Sequence, residues 1–102
     1  MSDSVTVTDN ADASRFEIHA DGEMAELIYR TRAGRLVLMH TEVPDALGGH
    51  GLGGQLVLAA IGRASREGMT IVPLCPFARG WLERHPDDAA RVNIDWAYPD
   101  PR

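Results

Sequence analysis

A chain of 102 residues has room for one core and the elements packed around it, and not for two. Its 44% hydrophobic and 25% charged residues are those of a folded domain. The net charge of −5 excludes a dense basic face, and with it sequence-independent binding to nucleic acid or to an anionic membrane surface.

Residues 1–14 are polar, with only Val5 and Val7 of strand character, and read as a frayed lead-in or a short edge strand. Met1-Ser2-Asp3-Ser4 lacks the basic start and apolar run of a signal peptide, and no later stretch approaches the roughly 20 apolar residues of a membrane span, so a cytoplasmic setting is expected. From Arg15 to Ala20 the alternation of Phe16, Ile18 and Ala20 predicts a strand with one buried face, and Asp21-Gly22 predicts a hairpin turn. A second strand, about Met24 to Thr31, puts Ala25, Leu27 and Tyr29 on one face before Arg32-Ala33-Gly34-Arg35 turns the chain again. The third strand, Arg35 to Val43, carries Leu36 and Leu38 on one side and Val37, Met39 and Val43 on the other, the pattern of a strand with helices on both faces. Strict alternation puts His40 and Glu42 on the Leu36 face and Thr41 on the Val37 face.

The glycine-dense stretch Gly48-Gly49-His50-Gly51-Leu52-Gly53-Gly54 follows this strand and opens a helix. Glycines let a ligand approach the backbone closely, and the first helical turn offers N–H groups without internal partners at the positive end of the helix dipole. Such a turn suits a diphosphate. Its alternative role is a tight turn with close helix–sheet contact. The G-x-G-x-x-G match to a dinucleotide-binding loop fails on context, since antiparallel strands precede it and the next strand ends without an acid. Leu52, Leu56, Val57, Ala60, Ile61 and Ala64 recur at helical spacing up to a stop at Gly68. Met69 to Leu74 reads as a short strand, and Phe77 to Arg84 as a short helix burying Phe77 and Trp81. His85 before Pro86 reads as a structural terminator of that helix, and the remaining tail, with Trp96 and Tyr98, as a loosely ordered flap. The lone cysteine, Cys75, excludes an intrachain disulfide.

A hairpin, a central strand, a G-x-G turn, a helix and a short strand, in that order, resemble the layout of the Gcn5-related N-acetyltransferases. Within it, His40-Thr41-Glu42-Val43-Pro44, Gly49-x-Gly51-Leu52-Gly53, Pro73-Leu74-Cys75-Pro76-Phe77 and Arg84-His85-Pro86 are similar to the small acetyltransferase-like group of that family, over about residues 15 to 88. The resemblance implies an α/β fold with a mixed sheet and a single domain, with lead-in 1–14, core 15–88 and tail 89–102. It also implies acetyl-CoA as cofactor, held by Thr41, Val43, Gly49, His50, Gly51, Leu52, Gly53 and Gly54, and an amine acceptor, on a peptide or protein. One departure weakens the phosphate grip: Gly48 stands where the larger superfamily has Gln or Arg. His50 could lend a donor when protonated, but reads first as a loop histidine in solvent.

Many relatives have a tyrosine on the helix after the last strand, whereas this helix holds Phe77 and Trp81. Cys75 is therefore the candidate proton donor or acyl-carrying nucleophile, against the alternative of a small buried apolar residue. His40 and Glu42 are candidates for the base that deprotonates the acceptor, against a core histidine and a solvated carboxylate. No metal site is expected, and the chain is expected to act as a monomer or weak dimer. The competing readings are a coenzyme A or acyl-CoA binding module without transfer, and an interaction domain using Trp81, Trp96 and Tyr98.

Overall fold

Asp21-Gly22 and Ala33-Gly34 take positive φ at both positions, 53° and 78° in the first pair and 51° and 77° in the second. Paired left-handed residues give the turn whose twist matches that of the flanking strands, and they create two successive hairpins. The computed structural model describes residues 6–96. Its strands are β1 (Thr8–Asn10), β2 (Arg15–Ala20), β3 (Glu23–Arg32), β4 (Arg35–Glu42), β5 (Thr70–Pro73) and β6 (Asn93–Ile94). They form one mixed sheet in sequence order, antiparallel from β1 to β4 and parallel from β4 to β6. Helix α1 (Leu52–Glu67) connects β4 to β5, and α2 (Pro76–Arg84) with α3 (Pro86–Ala89) connects β5 to β6.

The apolar stripe of α1 is buried with Phe16, Ile18, Leu27, Leu36, Leu38 and Ile71 from the sheet and Ala78, Trp81 and Leu82 from α2, in one core cluster. Both long helices thus join the core on the same sheet face. The expectation of helices on both sides of β4 is not met. The opposite face of β2 to β4 carries charged residues, with Glu17 paired in register to Glu26 and Glu26 to Glu42. Val37 and Val72 are nonetheless buried, as residues of inner parallel strands.

Strict alternation fails on β4. Ile28 pairs with His40 but Tyr29 pairs with Leu38, so Met39 is an extra residue opposite no partner, a β-bulge. Directly opposed residues share a sheet face. Thr41, opposite Leu27, therefore lies on the core face, while His40 and Glu42, opposite Ile28 and Glu26, lie on the charged face. This reverses the faces expected for all three, because one inserted residue shifts the period by one.

Within the described residues the lead-in is pinned at Thr8–Asn10. β1 pairs with β2, and Asp9 accepts from the Tyr29 hydroxyl at 2.5 Å and from Arg63 Nη1 of α1 at 3.1 Å. Arg63 also donates to the Tyr29 hydroxyl at 2.7 Å. Burial, followed by Asp9, raises the Tyr29 pKa, which keeps its donor proton in place. As far as Trp96 the tail is docked where a loose flap was expected: β6 adds to β5, Asp95 N–H donates to Ile71 O at 2.9 Å and Arg35 holds the Asp95 carboxylate at 2.7 Å. Val5 and Tyr98 lie outside the described residues. Among the described residues no helix is long and apolar enough to cross a membrane.

On the charged face, His19, then Arg15 and Asn10, hydrogen-bond the buried Glu17 carboxylate at 2.9, 2.5 and 2.9 Å and hold its pKa down to about 2. A depressed carboxylate contributes stability above its unfolded value of 4.5, and that contribution is lost as pH falls from there through about 2. Glu17→Gln is therefore expected to lower the melting temperature near neutral pH, with the gap to the parent closing as pH approaches about 2. Thermal melts across that range check this; a gap that is constant with pH would refute it.

Candidate active site

The chain leaves β4 at Glu42, passes through Val43-Pro44 and a short 3-10 turn, Asp45–Leu47, and enters α1 through Gly51, which has a left-handed φ of 72°. Among the described residues the N–H groups of Gly49 to Gly54 donate to no protein acceptor, and the first bonded amide is Gln55, to Gly51 O at 3.2 Å. They border an open cavity of about 400 Å³ lined by Val43, Gly49, Gly51, Leu52, Gly53, Gly54, Phe77 and Trp81, among others. Unpaired amides at a helix N-terminus are the kind of donors that attract an anionic group such as a phosphate.

The second part of the site is a gap in the sheet. Parallel pairing of β4 with β5 ends at Leu38 and Pro73, whereas β4 runs on to Glu42, paired only with β3 among the described residues. Leu38 O accepts from both Leu74 N at 3.1 Å and Cys75 N at 2.9 Å, and beyond it the two chains part. The freed main chain of β4 can bond an extended ligand as a further strand would. Cys75 sits at this fork as the N-cap of α2, 2% exposed, with its Sγ 3.2 Å from Thr41 Oγ1.

The sheet divides the residues expected at the site. Thr41 and Cys75 meet on the core face beside the fork. His40 Nε2 and Glu42 Oε1 meet on the charged face at 3.0 Å, both side chains well exposed. Val43, Gly49, Gly51, Leu52, Gly53 and Gly54 line the cavity; His50 is exposed and does not. No cluster of metal-ligating side chains occurs among the described residues.

The family description GCN5-related N-acetyl-transferase matches residues 15–92. The chain belongs to that family. As a GCN5-related N-acetyltransferase it also matches in fold the solution structure of a GCN5-like candidate N-acetyltransferase from Staphylococcus aureus, with a TM-score of 0.70 and 24% identity, over 99% of this chain and 100% of that one. That likeness shows the fold. A search of the curated proteins finds no match.

Two aromatic walls of this N-acetyltransferase's cavity were not expected from sequence. Phe77 was expected to be buried, yet it is 41% exposed, and its ring lies over the first turn of α1. A Cβ built on Gly53 would come within 2.5 Å of Phe77 Cζ, and one on Gly54 within 2.6 Å of Trp81 Nε1. The signal was present: two adjacent glycines inside a helical turn mark close approach by a neighbour. His85 keeps the structural role read from sequence, stacked on Trp81 at 3.8 Å with Nδ1 donating to Trp81 O at 2.7 Å.

Proposed function

We propose that this protein is an acetyl-CoA-dependent N-acetyltransferase that acylates a primary amine on a peptide or protein. The observation that carries this reading is the run of unbonded amides from Gly49 to Gly54 beside an open cavity. The residues fit the group: donors without partners, glycines without Cβ atoms in front of them, and a strand edge free to bond an extended arm. Gly49 to Gly54 would hold the diphosphate, the main chain of β4 beyond Leu38 the arm, and Thr41 with Cys75 the thioester end. When bound, acetyl-CoA supplies the activated acyl group. The Cys75 thiol, hydrogen-bonded to Thr41, is the proton donor for the leaving thiolate. His40 with Glu42, on the far face, takes the proton that an ammonium acceptor must lose before its nitrogen can attack.

Mass spectrometry after incubation with acetyl-CoA and lysine-containing peptides tests the reading. Acetylated peptide is expected, and Cys75→Ala or His40→Ala should each slow transfer about a hundredfold while calorimetry shows coenzyme A affinity retained. The burial of Cys75 and its separation from His40 favour one other reading, a coenzyme A binding module without transfer. Binding with no acetylated product would select that alternative, and absence of coenzyme A binding would overturn both.

A further inference from the structure

Phe77 does little for the core in proportion to its size. It is one of three large hydrophobic side chains exposed among the described residues, with Met39 at the bulge and Trp96 near the tail. Its position is nevertheless built. The ring overlies the backbone of Gly53, where any side chain would collide with it, and it lines the same cavity as the unbonded amides. It also lies in the first turn of α2, two residues beyond Cys75 at the fork. Phe77 thus ties the two parts of the site together: its ring lies against the glycine loop, and its backbone begins two residues from the fork.

We infer that Phe77 is a cofactor-contacting side chain whose exposed ring packs against the pantetheine arm of coenzyme A between the diphosphate and the thioester. The inference rests on the acetyl-CoA reading above. The arm must run from Gly49–Gly54 to Cys75, and its methyl and methylene groups need an apolar wall along the way. Phe77 supplies that wall with an aromatic face already out of the core. Gly48 adds a reason for its weight: with no side chain at that position to reach the phosphates, contacts along the arm carry more of the affinity.

The test compares the parent protein with Phe77→Ala and Phe77→Leu, using coenzyme A in calorimetry and adenosine bisphosphate, the nucleotide half of the same molecule, in amide-shift titrations that detect weak binding. Phe77→Ala is expected to weaken coenzyme A by about tenfold and to leave adenosine bisphosphate within about twofold. Phe77→Leu, which keeps apolar bulk over Gly53, should fall between. Circular dichroism melts confirm that each variant is folded. Unchanged affinity for coenzyme A, or an equal loss with both probes, overturns the inference while leaving the acetyl-CoA reading intact. A parent protein that binds no coenzyme A overturns both, and the parent alone reveals that outcome.

Discussion

Trp81→Ala is expected to remove about 3–5 kcal/mol of stability, the usual cost of deleting a large buried aromatic, out of a total that for a domain of this size is about 5–15 kcal/mol. The indole is 9% exposed and fills the space between the backbone of Gly54 and the stacked ring of His85. Its removal leaves the first turn of α1 and the last turn of α2 without a common filler. The pairing with Gly54 makes a sharper forecast. Gly54→Ala alone puts a methyl 2.6 Å from Trp81 Nε1, and overpacking of this kind costs about 1–3 kcal/mol. In the Trp81→Ala background that collision is gone, and alanine is better in a helix than glycine by up to about 1 kcal/mol. The same substitution should therefore destabilise the parent and stabilise the variant. Urea unfolding of the four proteins measures this, and effects that add within about 0.5 kcal/mol would show that the glycine is not making room for the indole.

Gly51→Val is expected to weaken coenzyme A binding by about tenfold or more. Gly51 has φ of 72° at the entry to α1, and no atom lies within 4 Å of where its Cβ would be, so the obstacle is conformational rather than steric. A β-branched residue held at such a φ costs about 1–3 kcal/mol, and the turn relieves it by rotating the amides away from the cavity. Gly51→Asn is the control, since asparagine tolerates the left-handed region, and it should keep affinity within about threefold. Gly53→Val differs in mechanism, because the space its side chain needs is filled by Phe77, and its first effect is on the contact between α1 and α2. Calorimetry with coenzyme A and thermal melts of all three separate the two. Affinity of Gly51→Val equal to the parent's would mean that the loop amides do not hold the ligand.

The regular part of this fold was legible because its signals are periodic. Alternation marked β2 and β3, the stripe from Leu52 to Ala64 marked α1, and the turn pairs Asp21-Gly22 and Ala33-Gly34 marked both hairpins. The glycine loop was legible for the same local reason. What escaped depends on one residue or on tertiary contact. Met39, His40 and Thr41 are all compatible with a strand, and no glycine or proline marks the bulge, so nothing local reveals that the faces exchange there. That shift decides which side chains can meet: it brings Thr41 to Cys75 and sends His40 to the other side of the sheet. Phe77 looked like core because it is apolar at helical spacing, and only the position of α2 across Gly53 and Gly54 brings its ring out to the cavity. The segment near Asp95 looked loose because its strand pairs only over Asn93 and Ile94, and its anchor, Arg35, is 60 residues away.

The double acceptance by Leu38 O bears on how the thiol can be studied. The vertex from which the two chains diverge is fixed by main-chain bonds to Leu74 and Cys75, not by the sulfur. The opening angle of the cleft should therefore survive replacement of the cysteine by alanine or serine. A loss of turnover in those variants would report on the chemistry of one sulfur atom, undisturbed by any change in the shape of the groove around it.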